Sequence, residues 1–432
     1  MLTRSRCWSR AAPVPRRILS PRPESAPFKV KSAVGTIRCR GIIVPEGERF
    51  QVTLTTQEQK EFLKRGFTRR NLGKIAAMVT AGASLPFYNE SALAQLSRVA
   101  NVPPDAVMIN SNENPLGPSD EARNAVHAIV AQGGRYLFGE TDKVARLLAE
   151  QENVKPSFVR IYAGSSAPLY QSVIAFTSPD RPFVTADPGY ESGAGAASFI
   201  GAKVVRVPLT SDYRHDVKAM LEKGGPNAGL YYICNPNNPT GTLTPKSEIE
   251  WLVANKPKGS IVMVDEAYTH LSEAPFNTDL VAKEKDVVVL RTFSKIYGMA
   301  GLRAGAAIAR PDLLEKLAGY SAGMMPITGM VAASTSLQQK DLVPTRRKII
   351  AGVREDTFSF MEKNHFHYIP SVSNCFMVDV KQDGRKFGAA MVKEKVVIGR
   401  VWPVWPTYVR VTVGTADEMK KFQAAFLKVM SA

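Results

Sequence analysis

The chain has 432 residues, of which 44% are hydrophobic and 22% are charged. These values are typical of a folded globular protein, and they exclude both a largely disordered chain and one with many membrane-spanning helices. The net charge of +17 is concentrated in residues 1–94, where 17 Lys and Arg face 6 Glu and no Asp, a net of +11. The other residues carry +6 with both signs interspersed, so we expect no nucleic-acid partner.

Residues 1–68 are predicted to form a disordered basic leader, because Arg, Ser and Pro dominate the first fifty positions without helical or strand periodicity. An Arg-rich start with few acidic residues also resembles an organelle transit peptide. A wrongly chosen start codon would produce the same kind of extension.

Residues 69–94 resemble a twin-arginine export signal. Arg69 and Arg70 precede a moderately apolar run, 75–87, and Ala92-Leu93-Ala94 has the A-x-A pattern of a cleavage site. The alternative is an ordinary amphipathic helix with a basic start. The run is shorter than the roughly 20 residues that span a bilayer, so we expect no stable membrane insertion. The signal predicts a periplasmic or exported protein; the alternatives are a cytoplasmic protein or, in a eukaryote, an organellar one.

From residue 95 to about 330, short apolar runs alternate with helix-like segments, which predicts an α/β fold. Six of the runs are mostly or wholly apolar, as strands covered on both faces tend to be. They are residues 183–186, 204–207, 229–234, 261–264, 287–290 and 304–309. We therefore predict that residues 95–330 form an N-terminal arm and a large domain with a mostly parallel central sheet.

Residues 331–432 show a different pattern, a long polar helical stretch followed by strand-like runs at 374–380, 396–400 and 408–413. This pattern predicts a smaller α+β domain, joined to the large one through a long shared helix. The four cysteines, Cys7, Cys39, Cys234 and Cys375, are too widely scattered to predict a disulfide framework or a metal site.

Reactive side chains follow several of the predicted strands, at the sheet edge where α/β proteins bind their ligands. Asp265 comes directly after 261–264, with Tyr268 three residues on. Thr292, Ser294 and Lys295 follow 287–290, and Arg303 precedes the next run. Two turns complete the set, Gly164-Ser165-Ser166 and Asn235-Pro236-Asn237-Asn238-Pro239-Thr240-Gly241. We expect these groups to share one site.

Three motifs, taken in chain order, resemble those of the class I/II aminotransferases. They are Asn-Pro-x-Asn-Pro-Thr-Gly, Asp-Glu-Ala-Tyr and Ser-Lys-x-x-Gly-x-x-Gly-x-Arg. That family has the fold-type-I architecture and uses pyridoxal 5'-phosphate. Two further segments are similar to the histidinol-phosphate aminotransferase branch of that family. They are Asn112-Glu113-Asn114-Pro115-Leu116-Gly117-Pro118 and Tyr408-Val409-Arg410-Val411-Thr412-Val413-Gly414-Thr415. The resemblance extends over residues 105–420.

The resemblance implies a role for each matched residue. Lys295 would form the imine with the cofactor aldehyde and then move a proton between substrate and cofactor. Asp265 would keep the pyridine nitrogen protonated, which makes the ring an electron sink. Tyr268 and Asn238 would donate to the ring oxygen beside the imine, and Tyr190 would stack on the ring.

Further residues would bind the anionic groups. The cofactor phosphate is a dianion, which backbone amides at a helix start and an arginine suit. Its implied ligands are Gly164, Ser165, Ser166, Thr292, Ser294, Arg303 and, from the neighbouring subunit, Tyr136. A contribution from the neighbour implies a homodimer with composite sites. Arg410, Arg400 and Asn114 are implied as substrate-binding residues.

The leading hypothesis is therefore an aminotransferase that carries nitrogen from an amino acid or related amine to a 2-oxo acid through an aminated form of the cofactor. Decarboxylating or cyclising enzymes of the same fold are the alternative, because Lys295 and Asp265 would serve them equally. A catalytically silent ligand-binding protein is a third hypothesis.

Overall fold

The computed structural model describes residues 54–81, 84–90, 92–93, 102–320 and 325–431. Most of the predicted leader, with Cys7 and Cys39, lies outside these ranges, as does Ala94 of the predicted cleavage site. Within the described ranges, no helix is both long and apolar enough to cross a membrane.

The strands of the described residues belong to three sheets. In chain order they are β1 (Val107–Ile109), β2 (Val159–Tyr162), β3 (Phe183–Asp187), β4 (Val204–Pro208), β5 (Leu230–Cys234), β6 (Ile261–Asp265), β7 (Val287–Thr292), β8 (Gly305–Ala309), β9 (Tyr368–Ile369), β10 (Cys375–Asp379), β11 (Val396–Ile398) and β12 (Tyr408–Thr412). The six predominantly apolar runs are all strands, β3 to β8.

The central sheet has seven strands in the order β2-β8-β7-β6-β5-β3-β4. Strands β4, β3, β5, β6 and β7 run parallel to one another, and β8 is antiparallel to both of its neighbours. Every residue of β5, β6 and β7 is buried, as expected for strands covered on both faces. The predicted α/β fold with a mostly parallel central sheet is confirmed.

Helices alternate with these strands along the chain. The α-helices of the described residues are Thr56–Lys64, Arg69–Ala81, Asp120–Val130, Phe138–Gln151, Ser166–Phe176, Ser192–Ile200, Val217–Gly224, Lys246–Asn255, Thr278–Ala282, Pro311–Ala318, Ile327–Leu337, Leu342–Lys363, Gly384–Lys393 and Ala416–Met430, with short 3-10 turns at Pro156–Phe158 and Thr269–Leu271.

The C-terminal part contains two small sheets. Strands β12, β10 and β9 form an antiparallel sheet, and β1 pairs in parallel with β11. The pairing of β1 with β11 ties the arm before the central sheet to the C-terminal part. The helix Leu342–Lys363, 22 residues long, precedes β9 to β12, where the sequence predicts a long shared helix. The division of the chain at residue 330 stays a prediction.

Two helices lie within the predicted leader and signal. Thr56–Lys64 begins at a capping box formed by Thr55 and Glu58, which satisfies two backbone N–H groups of the first turn. Phe62 of this helix is buried. For these residues the prediction of a disordered leader is wrong, because the capping box and the burial of an aromatic ring favour an ordered helix.

The second helix, Arg69–Ala81, packs Ile75 and Met78 into the same core as the central sheet. Between the two helices, Arg65 donates hydrogen bonds to the carbonyls of Ile174 and Thr177 at 2.6 and 2.7 Å. Arg65 therefore lies at the carboxyl end of the helix Ser166–Phe176, where a cation is favourable.

The register of the central sheet places the predicted site residues at one edge. Cys234 at the end of β5 pairs with Asp265 at the end of β6, and Asp265 pairs with Leu290 of β7. Parallel neighbours in register end together, so the segments that follow them emerge side by side. The turn at Asn235, Asp265 itself and the segment from Thr292 therefore converge.

A buried ion network stabilises the base of this edge. Arg291 donates to both carboxylate oxygens of Glu152, at 2.7 and 2.8 Å, and to the carboxylate of Glu266. The three side chains are almost completely buried. Burial raises the pKa of Glu152, but the charge of Arg291 outweighs it and holds this pKa below its usual value.

We expect Glu152→Ala to lower the free energy of unfolding by about 3–5 kcal/mol, because it leaves a buried guanidinium short of a partner. Because the pKa of Glu152 is lowered in the folded protein, its contribution is fully present above the unfolded-state pKa of about 4.3 and is lost as the pH falls from there through the lower folded-state pKa. Urea unfolding measures both effects. The control is Glu150→Ala, an exposed position in the last turn of the helix Phe138–Gln151, which Glu152 directly follows. A loss no larger than that of the control would contradict the role of this network.

Candidate active site

Lys295 is buried at the end of the segment that follows β7. Its Nζ donates to the carbonyls of Asn112 at 2.9 Å and Ser111 at 3.5 Å, and it lies 5.4 Å from the centre of the Tyr268 ring. Burial lowers the pKa of this amine, although the nearby Glu90 carboxylate opposes the effect. A buried lysine without a carboxylate hydrogen-bond partner is rare in proteins, and its lowered pKa makes the neutral, nucleophilic form more accessible.

Asp265 faces the same cavity from the end of β6. One carboxylate oxygen accepts from the hydroxyl of Tyr232 at 2.8 Å, and the other accepts from the backbone N–H of Ala267 at 3.2 Å. Burial raises the pKa of the carboxyl, and the hydrogen bond from Tyr232 partly offsets this. Tyr232 was not singled out in the sequence, where it is one more apolar residue of a buried strand.

Tyr268 and Asn238 meet beside Lys295. The side-chain amides of Asn112 and Asn238 donate to the Tyr268 hydroxyl at 3.0 and 3.3 Å. The hydroxyl hydrogen of Tyr268 therefore remains available to a ligand in the cavity. From the sequence, only Asn114 of the segment 112–118 was predicted as a site residue. Asn112 belongs to the same segment, so the motif did indicate this part of the chain.

The opposite end of the cavity is suited to an anion. Ser165 and Ser166 lie at the start of the helix Ser166–Phe176, and Ser165 makes no capping hydrogen bond to that helix. Thr292, Ser294 and Arg303 line the same end. Gly164 has a φ of +91°, and a Cβ at this position would clash with the guanidinium of Arg303. Helix N–H groups, hydroxyls and a guanidinium together favour a phosphate.

Tyr190 also lines this cavity. Burial raises the pKa of its hydroxyl, and the charge of Glu90 adds to the effect. The side chain is thus a neutral aromatic surface at the place where a ring is expected to stack.

Arg410 and Arg400 do not face an open space, because Glu90 lies against both. Arg410 Nη2 donates to Glu90 Oε1 at 2.6 Å, and Arg400 Nη1 donates to the same oxygen. Arg400 also pairs with Glu191 at 2.6 Å. Glu90 comes from the segment after the helix Arg69–Ala81, and no sequence motif indicated this contact.

Two predicted site residues lie away from the cavity. Asn114 donates to the carbonyl of Ile296 at 3.0 Å and accepts from the N–H of Leu116 at 3.1 Å, so its side chain holds a turn. Tyr136 is 69% exposed and lies 5.7 Å from Phe138, which is 66% exposed. The described part of this chain therefore brings neither side chain to the cofactor end of the cavity.

Comparison with known proteins agrees with this geometry. The model of the family "Aminotransferase class I and II" matches residues 104–426. The chain belongs to the class I and II aminotransferases. The amino-group transfer and the pyridoxal-phosphate dependence that the motifs implied are properties of this family, which confirms the predicted enzyme class.

Relatives within this aminotransferase family include histidinol-phosphate aminotransferases. The one from Symbiobacterium thermophilum is 32% identical over 74% of this chain and 90% of that protein, and histidinol-phosphate aminotransferase 1 from Nitrosococcus oceani is 33% identical over 73% and 87%.

Solved structures agree in fold. A putative histidinol-phosphate aminotransferase from Erwinia carotovora has a TM-score of 0.72 at 29% identity, covering 76% of this chain and 96% of that chain. The Sinorhizobium meliloti histidinol-phosphate aminotransferase, solved in complex with pyridoxal 5'-phosphate, has a TM-score of 0.71 at 26% identity, covering 81% and 96%.

The residues of this aminotransferase fit the cofactor. The cavity has a volume of about 330 Å³, within the range of small-molecule sites. It has an amine at Lys295, a carboxylate at Asp265 and an anion-binding end at Ser165, Ser166 and Arg303. Among the described residues, no cluster of three or more His, Cys, Asp or Glu could hold a metal ion.

Proposed function

We propose that this aminotransferase transfers the amino group of an amino acid or a related amine to a 2-oxo acid, with pyridoxal phosphate bound between Lys295 and Asp265. The observation that carries the proposal is the placement of a buried amine, a buried carboxylate and an anion-binding helix start around one cavity. When bound, the cofactor supplies an electron-withdrawing ring that stabilises negative charge on the substrate carbon.

Residues of the chain would transfer the proton and hold the cofactor in place. Lys295 Nζ, with its lowered pKa, would accept a proton from the substrate carbon and deliver it to the cofactor's aldehyde carbon. The carboxylate of Asp265, held by Tyr232, keeps a proton on the ring nitrogen. Tyr268 orients the ring oxygen through its hydroxyl. Ser165 and Arg303 hold the phosphate, which keeps the ring still during the reaction.

Arg410 and Arg400 support an acidic group on at least one substrate, because paired guanidinium groups suit carboxylates and phosphates. The named relatives make histidinol phosphate one candidate donor, and amino acids are the others. An exported enzyme would meet amino acids more readily than a phosphorylated cytoplasmic intermediate.

The test is a donor screen on the purified full chain loaded with pyridoxal phosphate. Each amine is added without acceptor, and the cofactor spectrum reports conversion to its aminated form; a 2-oxo acid should then restore the spectrum. Lys295→Ala is the negative control. Release of carbon dioxide without nitrogen transfer would show decarboxylation, and no conversion with any donor would contradict the proposal.

We also propose that the enzyme is a homodimer in which Tyr136 reaches the cofactor phosphate of the neighbouring subunit. Tyr136 and Phe138, whose ring centres lie 5.7 Å apart, expose 69% and 66% of their surface, and a pair of exposed aromatic rings suits a protein partner. Light scattering should give twice the chain mass of 47.2 kDa; a monomer would contradict the proposal.

We expect Tyr136→Phe to raise the dissociation constant of pyridoxal phosphate about tenfold or more, because it removes a hydrogen bond to a charged group. Equilibrium dialysis measures the change, and the dimer should persist because the ring remains. Phe138→Leu, next to it on the same surface, should leave cofactor affinity unchanged. Equal effects of the two variants would exclude a specific role of the hydroxyl.

We further propose that residues 69–94 direct export by the twin-arginine route, which carries folded proteins and so suits an enzyme loaded with its cofactor inside the cell. Arg69 and Arg70 are exposed, which supports their access to a receptor while the helix is folded. A reporter fused after Ala94 should leave the cytoplasm, and changing both arginines to Lys should retain it. An unchanged location would contradict the proposal.

A further inference from the structure

Residues 84–90, here called the strap, connect the helix Arg69–Ala81 to the substrate end of the cavity. Glu90 at the end of the strap has an exposure of only 8%. Its Oε1 accepts from Arg410 Nη2 at 2.6 Å and from Arg400, and its Oε2 accepts from the amide of Asn238 at 3.0 Å. These are the contacts expected of a bound substrate carboxylate.

The charges of this cluster are balanced with Glu90 in place. Arg400 pairs with Glu90 and Glu191, and Arg410 pairs with Glu90 while donating to the side-chain oxygen of Asn238 at 2.9 Å. Burial raises the pKa of Glu90, but the charges of Arg400 and Arg410 outweigh it, so that the carboxyl is ionised at neutral pH. A second anion would enter a neutralised, buried cluster and would lose its hydration without a free cation to bind.

Glu90 also uses hydrogen-bonding capacity that the cofactor needs. Both donor contacts of the Asn238 amide are taken, by Glu90 and by the Tyr268 hydroxyl at 3.3 Å. Departure of Glu90 would free one N–H of Asn238 beside the expected position of the cofactor ring oxygen. The strap therefore occupies the anion site and also engages a cofactor ligand.

Specific contacts hold the strap in place. Tyr88 stacks on Tyr170 with ring centres 5.1 Å apart, and the Tyr170 hydroxyl donates to the carbonyl of Phe87 at 2.7 Å. The Phe87 ring lies between Tyr170 and Phe199, at 6.0 and 5.8 Å. A carboxylate tethered by such contacts competes at a high effective concentration.

The family model begins at residue 104, so the strap lies outside the region that this model describes. We propose that the strap is an intramolecular competitor of the anionic substrate, with Glu90 occupying the guanidinium pair until the strap leaves. The proposal rests on the use of that pair for substrate, and it makes Glu90 an inhibitory residue rather than a catalytic one.

The experiment measures the dissociation constants of succinate and inorganic phosphate by calorimetry, on the full chain loaded with pyridoxal phosphate. Neither probe undergoes amino transfer. We expect Glu90→Ala to bind the probe that resembles the substrate anion at least about tenfold more tightly than the parent, because the competent fraction of the enzyme rises. Glu90→Gln should show a smaller gain, since its amide oxygen still accepts from arginine. The succinate and phosphate arms distinguish a carboxylate site from a phosphate site.

Phe87→Ala is a second test that keeps Glu90, and we expect a gain in the same direction because the anchor of the strap is weakened. Glu61→Gln, an exposed acid in the first helix, should change nothing. In kinetics, Glu90→Ala should lower KM for an anionic donor and leave KM for an uncharged amine unchanged.

Unchanged or weaker probe binding in both Glu90 variants would overturn the proposal, and so would a fall in unfolding temperature without any gain in affinity. Failure of the donor screen would contradict the proposed reaction but not the strap, since succinate and phosphate binding needs no turnover. The two failures are therefore distinguishable.

Discussion

Lys295→Ala is expected to abolish amino transfer, with a loss of about a thousandfold or more. The side chain has two tasks at one atom, attack on the cofactor and movement of the substrate proton, and general acid–base catalysis alone is worth up to about ten-thousandfold. The hydrogen bonds of its Nζ to the carbonyls of Asn112 and Ser111 place the amine for both. Single-turnover conversion of the bound cofactor with each donor measures the loss.

Two further variants separate the amine from its charge. Lys295→Arg keeps a cation in the cavity but stays protonated, so we expect it to be as inactive as Lys295→Ala. Lys218→Ala, an exposed position on the helix Val217–Gly224, should retain full activity. Substantial activity in Lys295→Arg would mean that a positive charge, rather than a nucleophilic amine, is what the reaction requires.

Asp265→Asn is expected to lower kcat about a hundredfold or more, because the ring nitrogen loses the carboxylate that holds its proton as charge develops. The shape of the side chain is kept, and Tyr232 still has an oxygen to which it can donate. The phosphate ligands are untouched, so the variant should still bind the cofactor. Stopped-flow spectra of the donor half-reaction and equilibrium dialysis of the cofactor measure the two quantities separately.

Asp142→Asn is the matched control, because this carboxylate is exposed on the helix Phe138–Gln151. Loss of the cofactor together with loss of activity in Asp265→Asn would contradict the assigned role and indicate a structural one. A loss below about threefold would show that charge at the ring nitrogen matters little to this reaction.

The strap connects the proposed export signal with substrate binding. Cleavage after Ala94 would remove Glu90 together with its anchors Phe87 and Tyr88, and would leave the guanidinium groups of Arg400 and Arg410 free for substrate. Under the two proposals together, the enzyme would load its cofactor inside the cell and bind anionic substrates well only after processing. Probe affinity compared between the unprocessed chain and a chain processed in vivo would test the combination.

The strands were predictable because they depend on local pattern, and the same local pattern led to the proposed catalytic groups. A continuously apolar run of the length of β6 or β7 indicates a strand covered on both faces, and the residue after it lies at the ligand-binding edge. That logic indicated Asp265 and Lys295 as residues of one site. The family resemblance then assigned their roles, which neither periodicity nor composition can do.

The structure added residues to the predicted site whose roles depend on where their side chains point rather than on their residue type. In the sequence, Tyr232 is one more apolar residue of β5. In the structure, its hydroxyl donates to Asp265. Asn112 was passed over in favour of Asn114, yet its amide reaches Tyr268 while Asn114 holds a turn. Asn112 has a φ of +52°, and this left-handed backbone conformation is visible only in the folded chain.

By itself, the sequence determined the α/β class and the positions of the central strands along the chain, and it predicted Lys295 and Asp265 as the reacting amine and carboxylate, because hydrophobic periodicity and short motifs act over a few residues. Only the tertiary structure decided what stands opposite the two arginines. Glu90 is separated from Arg400 and Arg410 by 310 and 320 positions, and packing of the whole chain is needed to bring an isolated carboxylate onto them.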